Sequence, residues 1–221
     1  MITKENPSQE YKDLVDAYKV LHKEESKFKG ISLITNVPVI YNIIKDNNCK
    51  TLLDYGCGKA IPYNTERHKE LKLVKPVQEL WEIDSFSLYD PGVEEYNKIP
   101  TGKYDIVICT DVLEHIPEQD LEWVLKRIFN YATKAVYLNI SCVPAIKTFK
   151  EGKFKDRNVH VSVFDKDWWV KKIAPIWNVD TSIKTYITLD TKEGKIGMCL
   201  KKKGESDGTN STDRTSNKTA G

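Results

Sequence analysis

Thr51-Leu52-Leu53-Asp54-Tyr55-Gly56-Cys57-Gly58 decides the fold. An apolar run of strand length closes on an acid and an aromatic, then gives way to two glycines one residue apart. Glycine reaches left-handed φ without a Cβ penalty, so such a turn reverses sharply and lets backbone N–H groups approach a ligand where side chains would not. An ordinary strand-to-helix turn is the alternative, and the flanking sequence decides between them.

Downstream, short apolar runs at 86–89, 104–109 and 135–140 alternate with polar helical stretches, the pattern of strands and helices alternating in a mostly parallel sheet. Two runs are almost continuously hydrophobic, as expected of strands covered on both faces. Residues 121–132 supply one covering helix, with Leu121, Val124, Leu125 and Ile128 on one side and Glu118 and Asp120 at its start. Residues 166–173 predict another. Residues 182–189 and 196–200 read as a hairpin joined through Thr191-Lys192-Glu193-Gly194, so the sheet ends antiparallel.

Upstream, Leu14, Val15, Tyr18 and Leu21 form a helical stripe within 11–28. A second helix follows Gly30, with Pro38 in its first turn, Val39, Ile40, Ile43 and Ile44 as its buried face, and Asp46-Asn47-Asn48 at its end. The expected organisation is an N-terminal helical cap over 1–48, a core over 49–203, and a polar tail over 204–221 too poor in apolar residues to fold.

A chain of 221 residues, 40% hydrophobic, closes one sizeable core. Lys and Arg total 34 against 32 Asp and Glu, so the net charge of +2 makes no strong basic field and disfavours nucleic acid as a partner. Cys49, Cys57, Cys109, Cys142 and Cys199 are scattered and odd in number, which argues against a disulfide framework or zinc knuckle. No run has the length to span a bilayer, and the expected location is cytoplasmic.

A second acid stands at a strand tip, Asp90 in Ser87-Leu88-Tyr89-Asp90-Pro91-Gly92, where a carboxylate accepts both hydroxyls of a ribose. Asp-Pro-Gly is also a turn signal in its own right. With Leu53 to Gly58 and Tyr104-Asp105-Ile106-Val107-Ile108-Cys109-Thr110-Asp111-Val112-Leu113-Glu114-His115-Ile116, the chain resembles class I S-adenosylmethionine-dependent methyltransferases over roughly 50–200.

The resemblance implies a Rossmann-like, doubly wound sheet of seven strands, the last antiparallel, with helices on both faces and S-adenosylmethionine across the carboxyl ends of the first strands. Asp54 would orient the methionine amino group; Gly56, Cys57 and Gly58 would form the turn beside it; Asp90 would hold the ribose; Thr110, Asp111 and Val112 would lie beside the methyl group, with Glu114, His115 and Ile116 beginning the next segment. Three departures stand out. Ala60 replaces a third glycine and Pro62 shortens or displaces the next helix; a long interval from Gly58 makes Asp84 a rival to Asp90; and 90–104 is too short for the elements that carry an adenine-binding acid.

A hydroxyl acceptor profits from a general base, for which Asp111, His115 and His160 are the candidates. His115 serves as a base or as a packing and cofactor-shaping group. His160, in a loop before Trp168-Trp169 where relatives build acceptor pockets, serves as base or substrate ligand, or else caps the next helix. The tryptophan pair reads as core. Thr110-Asp111-Val112-Leu113 lacks the Pro-Pro-aromatic pattern of nucleobase amino methylation, and Cys109 lacks the preceding proline of cytosine-carbon chemistry. Asp111, Glu114 and His115 form no recognisable metal triad, so no metal is expected. The expectation is methyl transfer to a small or medium polar acceptor, oxygen slightly ahead of nitrogen, with a non-catalytic cofactor-binding subunit or sensor as the alternative.

Overall fold

A computed structural model describes residues 2–24 and 28–200. Helices α1 (Gln9–His22) and α2 (Ile31–Asp46) precede strand β1 (Thr51–Tyr55). Then come a short α3 (Val77–Leu80), β2 (Ser85–Tyr89), β3 (Tyr104–Thr110), α4 (Glu118–Tyr131), β4 (Ala132–Ser141), α5 (Lys166–Trp177), β5 (Lys184–Thr191) and β6 (Gly194–Leu200). The sheet order is β2-β1-β3-β4-β5-β6, parallel except for the β5–β6 edge pair. Among the described residues the sheet has six strands, one fewer than the resemblance implies, because no strand forms between Asp90 and Tyr104.

Alternation along each strand splits the core into two layers. Leu53, Val107, Val136, Leu138 and Ile140 pack with Leu121, Val124 and Ile128 of α4 and Trp169 and Ile173 of α5. Leu52, Ile106, Ile108, Ala135 and Tyr137 face the other way, onto Leu33, Ile40 and Ile43 of α2 and onto Trp81. Trp169 is fully buried, and Trp168 stacks on Phe164 with ring centroids 3.7 Å apart, so the tryptophan pair is packing.

Helix α1 begins where Ser8 Oγ accepts from Tyr11 N, and it ends at His22, six residues short of the expected stripe; Phe28 lies outside it at φ 50°. Its anchor is polar: Ser8 N donates to the buried Asp120 carboxylate at the start of α4. Helix α2 starts directly after Gly30 (φ 82°), which puts Pro38 in its interior and turns Val39 outward, against the expectation of a first-turn proline and a buried Val39. The left-handed glycine ends the preceding loop early, and Leu33 and Asn36 complete the buried face instead. β1 keeps its expected bounds, β2, β3, β4, β6 and α5 run longer, α4 begins three residues earlier and ends one earlier, and β5 lies two residues further along the chain; the hairpin turns tightly at Lys192-Glu193, with Thr191 paired to Gly194. All five cysteines are free. Among the described residues no helix is long and apolar enough to cross a membrane. The expected tail over 204–221 lies outside the described residues.

Candidate functional site

The carboxyl ends of β1, β2 and β3 meet under α1 and the start of α2, and the glycine turn is built for that meeting. Gly56 (φ 94°) is the point where the tip of β3 crosses: a Cβ there would lie 2.2 Å from Val112 Cγ2. Gly58 (φ 57°) passes close to the Phe28 carbonyl, 2.9 Å from a built Cβ. Ala60 takes the left-handed conformation (φ 51°) that a third glycine would adopt freely, and Pro62 sits in a single 3₁₀ turn, Ile61–Tyr63.

The turn does not present free amides. Gly56 N and Cys57 N both donate to Tyr89 O, at 2.7 and 3.1 Å, Gly58 N donates to Asp90 Oδ2 at 2.9 Å, and Lys59 N donates to Phe28 O. The expectation of backbone donors aimed at a ligand is therefore corrected. The last carbonyl of the parallel neighbour β2 and the Asp90 carboxylate take them, and the space a Cβ would fill at Gly56 and Gly58 is taken by Val112 and the Phe28 carbonyl.

Asp54 supplies the polarity instead. It is 2% exposed; Oδ2 accepts from Tyr63 Oη at 2.8 Å, and Oδ1 has no partner. Burial pushes its carboxyl from 3.8 up to about 7, against the Tyr63 hydrogen bond. A carboxylate oxygen this deep without a donor is costly unless something supplies one. Cys57 is buried beside it, its thiol pushed up by burial.

Asp90 caps the turn from β2: Oδ2 on Gly58 N, Oδ1 accepting from Gly92 N at 2.8 Å, with His22 Nε2 of α1 at 3.9 Å. Asp84 precedes β2, at the far end of the strand, exposed and 4.0 Å from Lys50 Nζ. Geometry thus separates the two rivals, and only Asp90 stands at the turn.

Beyond β3, Thr110 is nearly buried, and Asp111 adopts φ 59°, unusual for a residue with a side chain, with its N–H on Asn139 O and its Oδ2 accepting from Ser32 Oγ at 2.7 Å. Glu114 is fully buried; its Oε1 accepts from Ser141 N, and its carbonyl oxygen accepts from Val161 N and Ser162 N at 2.8 and 2.9 Å. Burial, then the adjacent Asp111 charge, raise Glu114 well above the usual carboxylate range. Burial also works to raise Asp111, but the Glu114 and Ser32 side chains and the two nearby imidazoles outweigh it and hold Asp111 below that range. Of the two carboxyls Asp111 is the charged one.

The bonds to the Glu114 carbonyl draw the loop after β4 back over the 3₁₀ turn Leu113–His115, and this brings His160 to His115. The rings meet edge to face, centroids 4.8 Å apart. His115 Nδ1 lies 2.9 Å from Val159 O, with Tyr18 Oη at 3.1 Å, and His160 Nδ1 lies 2.8 Å from Val143 O. Burial, then the neighbouring His160, bring His115 down to about 4, so it is neutral at pH 7. Asp111, His115 and His160 each present one ligand atom within 4.8 Å of the others, a grouping absent from the sequence reading, which set Glu114 in place of His160.

Two cavities adjoin across the turn. The larger, about 330 Å³, is lined by Asp54, Gly58, Thr110, Asp111, His115 and His160. The smaller, about 110 Å³, lies between Tyr18 and His22 of α1 and Tyr55, Asp90, Val112 and Ile116. Apart from Asp84, the sequence-predicted site residues therefore gather at one end of the sheet. Tyr18, His22 and Ser32 were missed, because their roles depend on where α1 and α2 dock. Comparison with protein-family models and with curated proteins gives no match.

Proposed function

We propose that this chain is a Rossmann-like, S-adenosylmethionine-dependent methyltransferase acting on a polar acceptor, oxygen ahead of nitrogen. The observation that carries the reading is Asp54 Oδ1, a buried and unpartnered carboxylate oxygen of a residue that lines the larger cavity, beside a glycine turn. An anion in that position is matched by a cationic ammonium, such as the one on the methionine end of the donor. Asp90, at the neighbouring strand tip, supports the same donor. Each Asp90 oxygen already accepts one backbone N–H and retains a second lone pair for a ribose hydroxyl.

Bound there, the donor supplies an electrophilic methyl group, and what remains for the protein is alignment of a nucleophile. Asp54 fixes one end of the donor and Asp90 the other, so the reactive centre falls near Thr110 and Asp111. Val112, packed on Gly56, sets the depth of the turn. On the acceptor side, Asp111 is ionised and His115 is neutral, so both offer lone pairs to an acceptor hydroxyl. Lys29 and Lys147 line the same cavity.

A non-catalytic binding subunit would need Asp54 and Asp90 but not the Asp111, His115 and His160 grouping. Titration with S-adenosylhomocysteine tests donor recognition, and methyl transfer to hydroxyl acceptors in His160→Ala separates the two readings.

A further inference from the structure

Asp111, His115 and His160 come from the tip of β3, the turn after it and the loop after β4, and each is oriented from behind. His115 Nδ1 donates to Val159 O and His160 Nδ1 donates to Val143 O. A carbonyl oxygen can only accept, so both rings carry a proton on Nδ1, and Nε2 is the nitrogen each has left for coordination. Among the described residues every hydrogen bond made by these rings runs through Nδ1. Asp111 is held by Ser32 Oγ on Oδ2 and by the Glu114 side chain packed beside it. Outer partners of this kind are what fix metal-ligating imidazoles and carboxylates. One ring nitrogen from each histidine and a carboxylate oxygen of Asp111, all within 4.8 Å of one another, give a cation three donors at one point. The left-handed backbone of Asp111 (φ 59°) is a local strain maintained at the same point.

We propose that Asp111, His115 and His160 bind a divalent first-row transition cation on the wall of the larger cavity. Two imidazole nitrogens and one carboxylate oxygen suit manganese, iron, cobalt, nickel or zinc; calcium and magnesium favour all-oxygen sets. Three protein ligands leave further positions facing the cavity, the arrangement of a cation that meets substrate and not of a closed structural site. Only where it rests on the methyltransfer reading does the inference extend to the substrate: the open positions favour an acceptor that offers a hydroxyl oxygen.

The test uses the full chain without added histidines, stripped with chelator and titrated with Co²⁺ by visible absorption and calorimetry. The expected result is one equivalent bound at micromolar affinity or tighter, with visible bands of a nitrogen- and oxygen-ligated ion. His160→Ala and Asp111→Asn weaken binding by at least roughly 100-fold, and Ser32→Ala, which removes only the outer partner, by about tenfold. His68→Gln, outside this cavity, leaves the titration unchanged, and thermal melting of each metal-free variant establishes that it is folded. Absence of a stoichiometric Co²⁺ complex in the wild-type chain, or undiminished binding by folded His160→Ala, overturns the proposal. S-Adenosylhomocysteine is titrated into the same samples. Its binding without Co²⁺ binding overturns the cation site alone; Co²⁺ binding without it supports the site and overturns the methyl-donor reading.

Discussion

Replacing Asp54 with Asn removes a charge that the fold buries at a cost, and leaves the shape of the site alone. The native carboxyl titrates near 7 and the unfolded one near 3.8, so between those values the folded protein holds a proton that the unfolded chain has released. Stability of the wild type therefore falls as pH rises through this window and is level above it. At about 1.36 kcal/mol per pH unit, the loss between pH 5 and pH 7 is about 2 to 3 kcal/mol. Asn does not titrate and still accepts from Tyr63 Oη through its amide oxygen. Urea unfolding at pH 5 and pH 8 should thus show Asp54→Asn gaining about 2 to 3 kcal/mol on the wild type between the two conditions. The variant should also bind S-adenosylhomocysteine more weakly. In the wild type at pH 6, ammonium binding should release close to one proton from Asp54, visible as a buffer-dependent heat that Asp54→Asn lacks. A stability difference that is the same at both pH values refutes the claim that Asp54 is buried and unpartnered in the free protein.

Asp90→Ala should weaken donor binding by about 1 to 3 kcal/mol through lost charged hydrogen bonds, while Asp84→Ala, at the other end of β2, leaves calorimetric affinity unchanged; the reverse result would mean the ribose lies elsewhere. Gly56→Ala meets both the left-handed backbone cost and Val112, and should destabilise by roughly 2 to 5 kcal/mol in urea melts, with Val112→Ala in the same chain restoring part of it. Trp81→Ala, which empties a fully buried site under α2, should cost about 3 to 5 kcal/mol without a pH dependence. His160→Ala should leave S-adenosylhomocysteine affinity nearly unchanged and lower turnover; an unaltered rate would return His160 to packing.

The strands were legible because their burial on both faces writes itself as continuous apolar sequence: 104–109 needed only Thr110 to become β3, and 51–55 became β1 unchanged. Helix starts were less so. Pro38 fits a first turn by local preference, yet the left-handed Gly30 starts α2 seven residues earlier. The glycine turn was legible as a turn but its amides were not, since their partners, Tyr89 O and the Asp90 carboxylate, arrive only when β1 and β2 pair. The Asp111, His115 and His160 grouping was hidden for the same reason. It depends on the Glu114 carbonyl gripping Val161 and Ser162, and on Ser32 of α2 reaching Asp111 across 79 positions of chain.

Calorimetric titration of the full chain with S-adenosylhomocysteine tests the central claim most directly. The account predicts one site of micromolar affinity that weakens in both Asp54→Asn and Asp90→Ala. No heat of binding from the folded wild-type protein, or equal binding by folded Asp54→Asn, would contradict it.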